Sequence, residues 1–319
     1  MADNPIFFGR RYRLTIQPPD DAAITYETSE SGGAMDIQFE TTYARGQTAR
    51  EGTVSILGLG TNTINKFLRL AGETRGKAMS ELAWVKLEAG YYSSAGMVEV
   101  LNGFAWYASV TAPPQMWLTL KVSEYNPMGG MAIDIPSQTS PMDLQTLVET
   151  ILGYFEEAEG VLFELEDKTQ DQILSTEKAK QVTISGKLTL GDVIAKLNSE
   201  ASDSISFILR SRGDEPDTRI LEAHDKESNK SSEEDPVEVD SSSGLLAVSG
   251  INAVQGNVTT FIDGRVGDEL SKLTLTSELN PQANGTYLIV RKQYKGQYMG
   301  KEWYTTYYCT ERENEEAEE

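Results

Sequence analysis

The sequence predicts a mainly β, α+β protein in which a central two-helix unit separates two antiparallel β regions. Three observations carry this expectation. Apolar and polar residues alternate through the first and last thirds of the chain, the mark of half-buried strands. Two stretches in the middle change to helical spacing and carry helix-start signals. A polar, serine-rich and acidic run at 225–243 then precedes the return of the β pattern.

In the first third, Tyr12, Leu14 and Ile16 alternate with Arg13, Thr15 and Gln17 across Arg11–Gln17, and Met35, Ile37 and Phe39 alternate with Asp36, Gln38 and Glu40. Further strands are expected at Thr53–Leu57, Trp84–Ala89, Met97–Phe104 and Trp117–Ser123. One short helix interrupts them, with Ile64, Phe67, Leu68 and Ala71 on one face, Thr61 or Asn62 as cap and Gly72 as stop. Short strands with one helix predict a small barrel or sandwich over residues 1–135.

After Pro136 the period changes. Ser140-Pro141 is a helix start, a hydroxyl cap followed by proline at the first helical position. Leu144, Leu147, Val148, Ile151, Leu152 and Phe155 form the apolar stripe of a helix over Ser140–Glu159, which Gly160 ends. Strands are expected at Val161–Leu165 and Val182–Ser185. A second helix follows over Thr189–Ala201, with Thr189 and Asp192 as a capping box and Leu190, Val193, Ile194 and Leu197 inward. Ser204–Leu209 and Arg219–Ala223 complete an α+β unit over 136–243, whose acidic end is expected to be a surface loop or linker.

The β pattern returns over 244–312, through Leu245–Val248, Val258–Ile262 and Leu273–Thr276. It ends in a hairpin, NGTYLIVRKQYKGQYMGKEWYTTYYC, from Asn284 to Cys309. The glutamates of 313–319 are expected to form a disordered, solvated tail.

Composition sets the limits on function. The chain has 319 residues, enough for two or three domains, and 39% hydrophobic residues, enough for packed cores. Its 49 acidic residues against 28 basic ones give a net charge of −21. That balance argues against gripping nucleic acid, which needs clustered Lys and Arg, and suits repelling a passing polyanion or keeping the protein soluble. One cysteine, Cys309, and one histidine, His224, preclude an intrachain disulfide and the usual zinc sites. MADNPIFFGRRYRLTIQ lacks the apolar core of a signal peptide, and no apolar run reaches the roughly 20 residues that cross a bilayer. A soluble protein without a membrane anchor, matured in a reducing cytoplasm, is expected.

Motifs for chemistry are sparse. Gly58-Leu59-Gly60-Thr61-Asn62-Thr63 lies between a strand and a helix, but it lacks the third glycine and the βαβ setting of a dinucleotide-binding turn. A Cys309–His224 dyad would need contact and an orienting third group. The carboxylates at Glu156-Glu157 and Glu164–Asp167 lie on a helix end and a strand edge, with nothing to single out a glycosidase pair. No calcium loop and no G-x-S-x-G elbow is present. No catalytic, cofactor-binding or metal residue is predicted, and the protein is expected not to be an enzyme.

The C-terminal hairpin carries a resemblance. Gly244-Leu245-Leu246 after a polar linker, the turn-to-strand step Asn284-Gly285-Thr286-Tyr287, and Glu302-Trp303-Tyr304-Thr305 followed by Cys309 together resemble the C-terminal domain of tailed-phage baseplate hub proteins. The order of β region, two-helix insert and β region extends the likeness over nearly the whole chain. Ala247-Val248-Ser249 stands where that family often has a proline, and Asn280-Pro281 falls closer to the turn than is usual there.

The resemblance implies two tail-tube-like antiparallel β-barrels flanking the insert. It also implies a homotrimeric ring of six barrels that joins the tail tube protein to the central spike protein and lines the DNA channel. Other baseplate proteins, and a tape measure protein, would be further partners, and DNA would pass without specific binding. The place would be the virion tail baseplate, after assembly in the host cytoplasm, with cell-wall hydrolysis left to another protein. The aromatic run Trp303, Tyr304, Tyr307 and Tyr308 is the candidate interface. A tail-associated cell-wall hydrolase and another tail ring, such as a distal tail or tube-terminator protein, are the alternative readings.

Overall fold

The structure is a computed structural model that describes residues 9–29, 34–44, 47–72, 74–92, 96–128, 130–136, 143–175, 184–202, 204–225, 236–252, 255–262 and 272–312. The N-terminal region supplies β1 (Arg10–Gln17), β2 (Ile24–Glu27), β3 (Ile37–Ala44), β4 (Glu51–Leu57), α1 (Thr61–Gly72), β5 (Ala83–Tyr91), β6 (Met97–Val110) and β7 (Trp117–Ser123). The expected strands are all present. β2 is an addition, because ITYE is too short to display a period. Ile64, Phe67 and Ala71 of α1 are buried as expected. The Ile64 N–H donates to the Gly60 carbonyl at 3.0 Å, so Gly60 holds the cap position and Thr61 and Asn62 lie in the first turn.

The middle of the chain forms β8 (Ile133–Ile135), α2 (Leu144–Glu159), β9 (Leu162–Asp167), β10 (Gly186–Leu188), α3 (Leu190–Lys196), β11 (Ile205–Arg212) and β12 (Glu215–Asp225). The predicted start Ser140-Pro141 lies outside the described residues. The cap is instead Asp143, whose carboxylate accepts from the Thr146 N–H at 2.8 Å. Gly160 ends α2 at φ 63°, the left-handed region that glycine enters without a Cβ clash. The Thr189–Asp192 capping box is present in both directions, at 3.2 and 3.0 Å. α3 then relaxes into a π-helical turn, Leu197–Ala201, which keeps Leu197 and Ala201 buried. Of the strand expected at Val182–Ser185, Val182 and Thr183 lie outside the described residues and Ile184 and Ser185 are not in a strand; β10 begins just after, at Gly186, and pairs with β8.

The last part forms β13 (Val237–Val239), β14 (Leu245–Asn252), β15 (Gln255–Phe261), β16 (Lys272–Leu275), β17 (Gly285–Gln297) and β18 (Trp303–Arg312). β13 corrects the expectation that the whole acidic run is loop. Val237–Val239 pairs in parallel with β16, and Val239 is buried, because the Val-Glu-Val alternation supplies an inward face. The tail at 313–319 lies outside the described residues.

Among the described residues the two β regions form one 13-stranded sheet, in the order β14-β15-β18-β17-β3-β4-β7-β6-β5-β1-β2 with β13-β16 branching from β17. The reason lies in β17. Its first residues pair with β16 and its last residues, Arg291–Gln297, pair with β3 on the same side, while β18 covers the other side. No hydrogen-bonded ladder among the described residues closes a barrel. The fold is mainly β and antiparallel, and the two β regions that the sequence separates are joined edge to edge.

Three cores follow. One fills the N-terminal region and takes in Tyr294 and Trp303. A second, smaller one gathers Val239, Val258, Leu273, Tyr287, Ile289, Tyr307 and Cys309 in the C-terminal lobe. The third lies between α2, α3 and the β11-β12-β9 sheet, and is completed by Ala49, Met79, Leu82, Trp84 and Phe104 from the N-terminal region. The insert therefore does not close its core alone. Leu147 and Ile194 sit in that core at 3% and 0% exposure. Changing either to Ala is expected to cost about 2–5 kcal/mol through lost burial and a residual cavity. Urea titration of each variant checks this, and an unchanged midpoint in both would contradict the packing described.

Candidate functional site

The aromatic hairpin is the place where the two β cores meet. Alternation along β18 divides its four candidate residues. Trp303 and Tyr307 point inward and are buried, in different cores. Tyr304 and Tyr308 lie on the opposite face and are half-buried. The Trp303 ring meets Phe39 edge-on with 5.2 Å between centroids, and its indole N–H donates to the Gly90 carbonyl at 3.3 Å. Opposite Trp303 in the ladder stands Gly296, and a Cβ there would lie 2.3 Å from the Phe39 ring. Glycine is required because the ring occupies the side-chain space.

The tip of the hairpin is tied to β1. The Arg10 guanidinium donates to the carbonyls of Gln297 at 2.8 Å and Gly300 at 2.6 Å, and lies 5.5 Å from the centroid of the Trp303 ring. On the outward face, Tyr308 donates to Gln293 at 3.0 Å with the Arg291 guanidinium over its ring, and Lys295 pairs with Glu302 at 2.7 Å. Gln293 in turn donates to Glu40 across the β3–β17 ladder at 2.8 Å. This face is polar and ordered, with charges of both signs.

A second constellation fastens the insert, and no sequence signal pointed to it. Glu124, just past β7, is 1% exposed. Its carboxylate accepts from the backbone N–H groups of Arg50 at 2.7 Å and Ser211 at 3.0 Å, and lies 3.9 and 3.8 Å from the Arg50 and Arg210 side chains. Burial pushes its carboxyl above the usual range, against the opposing pull of Arg50 and Arg210. Arg219, fully buried, donates to the Glu124 carbonyl at 3.2 Å and stacks 4.3 Å from the Phe104 centroid. Burial lowers its pKa to about 10, with Glu124 opposing, so it stays charged near neutrality. Around this set, Asn102 donates to the Gly213 carbonyl and Lys86 pairs with Asp214, so the β11–β12 turn grips the N-terminal sheet. Removing one member of such a buried set strands the others, which costs far more than an exposed pair would.

The comparisons bear on the whole chain. The profile of a family described as baseplate hub gp41 matches residues 22–309. The chain belongs to that family. Among solved structures, the tail protein from Neisseria meningitidis MC58 is similar at a TM-score of 0.58 and 9% identity, over 95% of this chain and 97% of that one. The 43 kDa tail protein of prophage MuSo2 from Shewanella oneidensis is similar at 0.53 and 9%, over 94% and 96%. The E. coli c3393 protein is a type VI secretion component described as structurally similar to the T4 tail proteins gp27 and gp5. It is similar at 0.55 and 9%, over 88% of this chain and 74% of that one. At these identities the likeness is one of fold. Among curated proteins none matches in sequence. Membership of the hub family places the chain in the phage virion tail, in a family of structural proteins.

The residues weighed for chemistry occupy structural positions in this hub-family chain. Cys309 is buried in the C-terminal core, which pushes its thiol up to about 12, while His224 lies in the insert, 3.0 Å from Glu222. Burial of Glu222 is outweighed by hydrogen bonds from His224 and Lys168 and by Arg210, and its pKa falls to about 2. The turn after Gly58 holds α1 and not a phosphate cradle: Leu59 is buried and Gly60 caps the helix. Among the described residues no group of three or more His, Cys, Asp or Glu is arranged to hold a metal ion.

Glu159, the last residue of α2, is a second acid that burial pushes toward neutrality. It is 2% exposed and accepts from the backbone N–H groups of Met79, at 2.9 Å, and Met131. A Cβ at Gly130 would lie 2.7 Å from its Oε1, so the glycine makes room for the carboxylate. Burial raises its pKa to about 7 from an ordinary 4.5, the two N–H groups oppose this, and Glu81 adds to it. A folded pKa above the unfolded one favours the protonated native state. Its contribution is full below the ordinary carboxyl value and is lost as pH rises through about 7. Between pH 5.5 and 8 stability is therefore expected to fall by about 2 kcal/mol from this group. Denaturant titrations should show that decrement in the wild type and its loss in Glu159→Gln. An equal decrement in both would contradict the assignment.

Proposed function

We propose that the chain is one protomer of a homotrimeric hub ring that joins the tail tube to the central spike and lines the passage for DNA. One observation carries the reading: a hub-family chain presents two β lobes built on a single shared hairpin. If each lobe acts as one tube-like barrel, three chains offer six, which matches a threefold spike to a sixfold tube. The N-terminal unit (1–135) and the C-terminal unit (244–312) supply these positions, each closing against its neighbours. The ring then removes open sheet edges that would otherwise aggregate. The insert (136–243) faces outward, toward other baseplate proteins. Tyr304 and Tyr308, half-buried on the outward face of the hairpin, sit at the rim of a contact, while Trp303 and Tyr307 brace it from inside.

The ring works without catalysis, and a tape measure protein and the spike are its partners during assembly in the host cytoplasm. The net charge of −21 fits a lumen across which DNA slides without adhering, because clustered cations would capture phosphates. A reconstruction of the assembled tail tests both parts. Three copies around an acidic or neutral lumen are expected, and the isolated protein should not retain duplex DNA at low salt. A ring of six or twelve copies would overturn the trimer. A lumen lined mainly by Lys and Arg, or salt-sensitive DNA binding, would overturn the channel reading.

A further inference from the structure

The charge of this protein is unevenly spread. From Ser241 to Ile262, and again from Leu279 to Val290, the sequence carries no Asp, Glu, Lys or Arg, in a chain that is otherwise rich in acids. Both stretches belong to the C-terminal lobe. The first contains β14, the terminal strand of the sheet, which among the described residues pairs only with β15. A strand that leaves one row of backbone groups open is ordinarily guarded by charge or proline, and β14 has neither. The register shifts between Leu245 and Ala247, and the bulge leaves Leu246 47% exposed, with Ala247 exposed beside it.

The second stretch begins at Leu279, which is 100% exposed. The loop that carries it is held in place. The Ser277 N–H donates to the Asn284 side chain at 2.6 Å, the Asn280 N–H to the Ser277 hydroxyl at 3.2 Å, and Tyr287 to the Ala283 carbonyl at 2.7 Å. The Pro281–Ala283 turn that follows packs near β14. Among the described residues, an edge strand with a bulged leucine thus lies near a braced loop with a solvated leucine, and Glu278 is the exposed charge beside Leu279. Two other long uncharged stretches, Val100–Leu120 and Gly52–Asn65, differ, because Lys121 lies over the Trp106 and Tyr107 rings of the first and β4 in the second is an interior strand paired with both β3 and β7.

We propose that this face of the C-terminal lobe, the β14 edge with Leu246 and Leu279, is where a second copy of the chain docks. Two molecules that each carry −21 repel one another across most of their surfaces. They approach at least cost where charge is sparse and the strand edge is unguarded, and there the open ladder and the two leucines supply the contact. The inference rests on the ring reading and names the surface that closes it.

Sedimentation equilibrium of the wild type, Leu279→Glu, Leu246→Glu and a control, Gln115→Glu in the exposed β6–β7 turn, tests the surface. The three positions are exposed or half-exposed, so melting temperatures should be unchanged. Self-association should weaken by about tenfold or more in the two leucine variants, which would force a charge into a desolvated contact, and stay at the wild-type level in the control. Leucine variants that associate as strongly as the wild type would overturn the docking surface and leave a trimeric hub standing. Association that the variants abolish, but with a stoichiometry other than three, would support the surface and overturn the trimer. A wild type that stays monomeric at its highest soluble concentration would overturn the surface.

Discussion

β17 constrains most of what surrounds it. On one side its first residues pair with β16 and its last with β3, and β18 runs along the other side. A strand shared in this way cannot belong to one lobe and not to the other. The register shifts near Tyr287 and Ile289 let the same hairpin direct Tyr287 and Ile289 into the C-terminal core and Tyr294 into the N-terminal one. The concentration of aromatic residues in β18 follows from that double duty, since Trp303 and Tyr307 must each fill a different core from one short strand.

The insert is held by different physics. Its helices pack on their own small sheet, but Trp84 and Phe104 of the N-terminal sheet complete the core. Glu124, Arg210 and Arg219 then fix the position in which it docks. Apolar burial is tolerant of small displacements, whereas a desolvated carboxylate that must satisfy two backbone N–H groups and neighbouring guanidinium groups is not.

Much of this could be read in the sequence, and the reasons for success and failure are physical. Long strands with a half-buried face announce themselves by alternation, so β1, β3 and β7 were legible, and the Thr189–Asp192 box located the start of α3 because capping is local chemistry. β2, β8 and β13 have three or four residues and too few inward positions to make a period. The start of α2 went to Ser140-Pro141, a good local signal, although Asp143 makes the bond to Thr146. The β3–β17 ladder joins residues some 250 positions apart and leaves no local trace. Glu124 looks like any other acid in an acidic chain, and only folding brings Arg50 and Arg210 to it. Of the four aromatics on the hairpin, composition identified the group, and the alternation of the strand decided which face inward.

The central claim is that the two β regions form one mechanically continuous sheet through β17, and native-state hydrogen exchange tests it most directly. Amides of Tyr287–Ile289, on the C-terminal side of the junction, and of Tyr294–Gly296, on the N-terminal side, should open with the same free energy and respond alike to low denaturant, since both are lost only in global unfolding. Exchange at Tyr287–Ile289 through a separate, lower-energy opening, with Tyr294–Gly296 still protected, would show two independent lobes and contradict the account.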